Sequence, residues 1–187
     1  MPDTAEAKTR PGDDIVGARI LIVDDEPANV RLLERILERA GYTEVESTSD
    51  AAAVSGLYAS FDPDLILLDL LMPAMDGYAV MDDLMPRVPA GDYLPVLVLT
   101  ADATRDAKER SLAGGARDFL TKPFEATEVL LRVKNLLETR MLHLELQRYG
   151  EGLEQKVRER TSELEKAQLE ILDRLALAAE FRDYETA

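Results

Sequence analysis

Residues 65–77 read LILLDLLMPAMDG, and the fold turns on this stretch. Leu65, Ile66, Leu67 and Leu68 form an apolar run of strand length without the alternation of a half-solvated strand. Such a run is expected where both faces of a strand are covered. Asp69 ends the run with a carboxylate, and Pro73 and an Asp76-Gly77 turn follow.

Working outward, RILIV at 19–23 and VLVL at 96–99 repeat the pattern, with weaker strands at 43–47 and 118–120. Helical spacing lies between them. Val30, Leu33, Ile36 and Leu37 lead to Gly41, windows follow at 51–58 and 78–85, and 104–113 ends at Gly114-Gly115. The glycines are helix stops. Strict alternation of strand and helix predicts right-handed crossovers and a parallel α/β sheet covered by helices on both faces.

The polar residues that interrupt these strands all stand at carboxyl ends. Asp24 and Asp25 follow the first, Asp69 the third, Thr100 the fourth, and Thr121-Lys122 the fifth. That edge is where open α/β sheets bind ligands.

Composition narrows the function. With 187 residues and 46% hydrophobic content the chain has room for one domain with a real core and something extra. A net charge of -15 argues against a nucleic-acid or anionic-membrane surface. The absence of cysteine excludes disulfides and thiolate metal sites. No apolar run has membrane-span length and the start lacks a signal-peptide core, so a cytoplasmic protein is expected. Residues 1–17 are polar and aperiodic and read as a disordered lead-in, with order beginning at Arg19.

VDDEP at 23–27, LLDLLMPAMDG at 67–77, VLTA at 98–101 and TKPF at 121–124 together resemble the receiver domain of two-component response regulators, over residues 18–138. The resemblance implies a flavodoxin-like sheet in the order 2-1-3-4-5, which puts Asp24, Asp25 and Asp69 side by side. It also implies that Asp69 is the phosphoacceptor for a sensor histidine kinase or a small phosphodonor. Mg²⁺ would be held by Asp25, Asp69 and the Leu71 carbonyl, with Asp24 acting through water. Lys122 and Thr100 would meet phosphoryl oxygens, since phosphoryl transfer asks a protein mainly to position and neutralise charge. Thr100 and Phe119 would form the switch, and Lys122-Pro123 matches a cis peptide of the family.

Each residue also has a plainer reading. DDEPAN at 24–29 has the form of a helix start with Pro27 in the first turn. Asp69 reads as a loop carboxylate, Thr100 as a cap, Lys122 as a surface lysine and Phe119 as a core aromatic. His143, the single histidine, reads as a solvated or packing residue. An aspartate-nucleophile phosphatase would want a second acid two residues after Asp69, where Leu71 stands. What favours the receiver is that four motifs fall in order on one sheet edge.

Beyond Thr127 no proline appears, and the composition turns to Leu, Glu, Arg, Lys and Gln, which predicts one long helix. Leu142, Leu146, Tyr149, Leu153, Val157, Leu164 and Ile171 form a coiled-coil seam, so a parallel homodimer is expected through a linker at 139–187. Gly150 and Gly152 are candidate break points. Residues 168–187, QLEILDRLALAAEFRDYETA, resemble the leading edge of HD-GYP cyclic di-GMP phosphodiesterase domains, whose metal site one histidine cannot build. A regulatory part cut from such an enzyme is therefore expected. The alternatives are a diguanylate cyclase or kinase output, or a stand-alone scaffold.

Overall fold

A computed structural model describes residues 15–73, 75–101 and 104–184. Five strands, β1 (Ile20–Val23), β2 (Val45–Thr48), β3 (Leu65–Asp69), β4 (Val96–Thr100) and β5 (Asp118–Thr121), pair in parallel in the order β2-β1-β3-β4-β5. The helices are α1 (Pro27–Arg39), α2 (Val54–Phe61), α3 (Gly77–Leu84), α4 (Arg105–Ala113) and α5 (Ala126–Tyr184). This is the flavodoxin-like arrangement with a long C-terminal helix.

The unbroken apolar strands are explained by two cores, one on each face. Ile20, Ile22, Leu65, Leu67, Leu97 and Leu99 pack with Leu33 and Leu37 of α1 and Val129 and Val133 of α5. The alternate residues Leu21, Val23, Ile66, Leu68, Val96 and Val98 pack with Val54, Val80, Met81 and Leu84. Adjacent residues of a strand point to opposite faces, so every position of a doubly covered strand must be apolar.

Several boundaries differ from the sequence expectation. Order begins before Arg19, because a 3-10 turn at Ile15–Gly17 brings Ile15 against the first core. Residues 1–14 of the expected lead-in lie outside the described residues. The second helical window splits into a 3-10 turn at Ala51–Ala53, capped by Asp50, and α2. α2 ends on Asp62 in the left-handed region, at φ 51°, with its carboxylate 2.7 Å from Arg19. The Asp76-Gly77 turn is instead the start of α3, where the Asp76 carboxylate accepts from the Ala79 N–H at 2.8 Å.

The chain divides into two compact units, Met1–His143 and Leu144–Ala187. α5 is assigned without interruption through Gly150 and Gly152. In the second unit Leu146, Tyr149, Leu153, Val157, Leu164 and Ile171 are all exposed. Among the described residues no helix is long and apolar enough to cross a membrane.

Candidate functional site

The carboxyl edge of the sheet gathers the expected acids. β1 ends at Val23, so Asp24 and Asp25 begin the next loop, and Asp69 is the last residue of β3 beside it. One carboxylate oxygen from each of Asp24, Asp25 and Asp69 lies within 4.8 Å of the others. Asp24 is fully buried, Asp69 nearly so, and Asp25 half-buried.

Lys122, immediately after β5, holds two of these acids together. Its Nζ is 2.8 Å from Asp24 Oδ2 and 2.8 Å from Asp69 Oδ2. The surface-lysine reading is thereby replaced by a largely buried cation bridging two carboxylates. The Lys122 N–H also donates to the Thr100 carbonyl at 2.7 Å, and the Lys122-Pro123 peptide is cis, as the resemblance implies.

The acids carry structural duties as well. Asp24 Oδ1 accepts from the Glu26 N–H at 2.9 Å and from Asn29 Nδ2 at 3.1 Å, so it also orders the first turn of α1. Pro27 begins that helix and the Glu26 side chain makes no cap. DDEPAN therefore does start a helix, and the same Asp24 that orders its first turn also lies in the acidic cluster. Asp69 Oδ1 accepts from the Leu71 N–H at 3.2 Å.

Burial pushes the Asp69 carboxyl above the ordinary carboxylate range, and the negative charge of Asp24 adds to this. The hydrogen bond and charge of Lys122 pull the other way without cancelling it. For Lys122, desolvation lowers the affinity for its proton, but the two carboxylates together outweigh it and the ammonium is held above its ordinary value. The pocket thus keeps more negative charge than one lysine neutralises, and its donors are hard oxygens. That donor set fits Mg²⁺, which takes one or two carboxylates and keeps sites for water and phosphate oxygens.

Thr100 is buried at the end of β4, next to β3. Phe119 lies on β5, half-buried and packed against the second core, which is its plainer reading. Leu71 is 60% exposed beside the acids and offers no polar side chain to the pocket. Asp102, the acid two residues after Thr100, lies outside the described residues.

Two contributors were missed in the sequence. Asn29 lies five residues after Asp24 in the first turn of α1, where an amide beside an acidic pair was the available signal. Gly77 is the other. A Cβ there would sit 2.4 Å from the Asp69 carbonyl oxygen and 2.9 Å from Leu70 Cα, so only glycine lets α3 start against the end of β3.

Fold and pocket together define a class: a doubly wound α/β signalling domain with an acidic cluster at the carboxyl edge of a five-stranded parallel sheet. The chain belongs to the response regulator receiver family, whose domain model matches residues 20–134. Receiver domains serve phosphorelay signalling.

The response regulator PleD of Caulobacter vibrioides is 41% identical over 138 residues, which are 73% of this chain and 30% of PleD. The DNA-binding dual master transcriptional regulator RpaA of Synechocystis is 43% identical over 119 residues, 64% of this chain and 48% of RpaA. The chain therefore spans half or less of these two relatives. Among solved structures, the chemotaxis protein CheY4 of Vibrio cholerae superposes with a TM-score of 0.60 at 28% identity, covering 64% of this chain and 98% of CheY4. The receiver domain of a histidine kinase from Syntrophus aciditrophicus gives 0.59 at 37% identity, over 66% and 92% of the two chains.

Proposed function

We propose that this receiver accepts a phosphoryl group on Asp69 from a sensor histidine kinase or a small phosphodonor. The observation that carries the proposal is the pairing of Lys122 with both Asp24 and Asp69 inside a cluster of three carboxylates. An Asp69 oxygen attacks phosphorus while the donor's P–N or P–O bond breaks and its electron pair leaves with the donor. Lys122 neutralises the attacking carboxylate before transfer and a phosphoryl oxygen after it. The Thr100 hydroxyl, at the end of the neighbouring strand, donates to a second oxygen.

Asp25, Asp69 and the Leu71 carbonyl are the residues that would hold Mg²⁺, with Asp24 orienting its water. The ion supplies charge neutralisation for the transferring phosphoryl group. Intact-mass spectrometry after treatment with acetyl phosphate and Mg²⁺ tests the assignment. Wild type gains one phosphoryl mass and Asp69→Asn does not; equal labelling of both sinks it.

The output is proposed to run through α5. The drawing of Thr100 toward the phosphoryl group lets Phe119 repack, and the exposed seam of residues 146–171 pairs with the same seam of a second chain in a parallel dimer. The HD-GYP resemblance at 168–187 supports a phosphodiesterase output in a cytoplasmic regulator, and only the sequence speaks for it. Relatives named as a response regulator and as a DNA-binding regulator leave a different output as the second reading.

A further inference from the structure

The inward stripe of α5 ends in a charge. Val129, Val133, Leu136 and Leu137 bury that face against the sheet, and the next inward position is Arg140, whose side chain is 4% exposed. Arg140 lies beyond residue 134, where the match to the receiver family ends. It is also far in the fold from the acidic pocket. α5 starts after the carboxyl end of β5, whereas Arg140 meets loops that lead into the amino ends of β3 and β4.

Its partners come from two loops. Nη1 pairs with Asp92 and donates to the Tyr93 carbonyl at 2.7 Å. Nε has no hydrogen-bond partner, with Asp64 Oδ1 3.8 Å away. One turn on, His143 Nε2 donates to the Gly91 carbonyl at 2.8 Å, and its ring lies 5.9 Å from that of Tyr93. Arg117 covers Tyr93 at 4.9 Å, and Gly91 has φ +87°, a conformation other residues rarely adopt. Three consecutive loop residues, Gly91, Asp92 and Tyr93, are thus gripped by two residues of one helical turn.

A buried ion pair is a poor way to add stability, because an apolar side chain of similar size often does as well. What it adds is direction. A leucine at 140 would tolerate sliding and rotation of the helix, whereas a guanidinium fixed to a carbonyl and a carboxylate tolerates neither.

We propose that Arg140 and His143 form a latch that fixes the rotation and axial position of α5 at its last turn on the receiver, so that a change at the acidic pocket reaches the following helix as a defined movement. The second clause rests on the relay proposed above, and the first does not. Arg140 is a positioning residue in this reading.

The test compares wild type with Arg140→Met, Arg140→Lys and Asp92→Asn in the full chain. Hydrogen exchange of amides 138–145 is expected to be at least tenfold faster in Arg140→Met, with the strands unchanged and Asp69 labelling by acetyl phosphate intact. Arg140→Lys restores part of the protection, and Asp92→Asn exposes the same amides if Arg140→Met does not fold. Exchange unchanged in both Arg140→Met and Asp92→Asn, or accelerated equally over the whole receiver, overturns the latch. Spin labels at Leu164 in the dimer then read the relay: beryllofluoride shifts their distance in wild type and not in Arg140→Met. A shift retained in the variant overturns the coupling. Its absence in wild type removes the relay, and the coupling with it, while the exchange result still decides the latch.

Discussion

Two stretches of α5 use their apolar residues in opposite ways. From Val129 to Leu137 the inward apolar residues close the core on one face of the sheet, with Val129, Val133 and Leu137 fully buried, while Leu131 faces outward. From Leu146 to Ile171 they stand in solvent, Leu146 at 70% and Leu164 at 66% exposure. Apolar stripes of that kind mark surfaces for a partner. The first segment is buried within its own chain, and the second is the one proposed above to pair with a second chain.

The largest effects should separate the halves. Leu67→Ala, in the first core, should cost about 3 kcal/mol of receiver stability in urea unfolding. Leu164→Ala should leave the receiver transition in place and weaken only self-association. A common loss in both variants would erase the contrast. Gly77→Ala should cost roughly 3 kcal/mol, the upper part of the range for overpacking, because the neighbours it meets are backbone atoms that cannot rotate away. It should also impair Asp69 labelling, since the helix start it displaces rests on the Asp69 carbonyl. Normal stability with normal labelling would show that the end of β3 yields easily.

Smaller effects sharpen the same comparison. Gly150 and Gly152 have nothing within 4 Å of a Cβ position, so alanine at either should stabilise the second half of the helix by up to about 1 kcal/mol, read as increased helicity on circular dichroism. A loss of helicity or of dimerisation would mean that a glycine is needed for close approach of a partner.

The smallest effect is read as a slope. The folded pKa of Asp69 lies above its ordinary value of 3.8, so between those values the folded chain binds more protons than the unfolded one. Stability from this group is present at low pH and falls as pH rises through that window. Asp69→Asn should remove this fall when urea midpoints are compared from pH 4 upward without Mg²⁺. An unchanged slope would place the charge strain elsewhere.

Much of this was legible in the residues. LILLD and VLVLT announce doubly covered strands because burial on both faces demands apolar residues throughout, and the acids at strand ends follow from where such sheets bind ligands. The start of α3 was legible to within one residue, but its cap was not, because Asp-Gly encodes a turn as readily as an N-cap followed by a residue that must lack a Cβ. Arg140 was hidden for a related reason. An arginine in a charged helix reads as solvated until the loops holding Asp64 and Asp92 are seen to close on it.

Sedimentation velocity on the full chain and on a chain ending at His143 tests most directly whether the first half is complete and the second is not. The prediction is a dimer for the full chain and a folded monomer for the shorter one. A monomer in both would contradict the seam, and a dimer in both would move the contact onto the receiver.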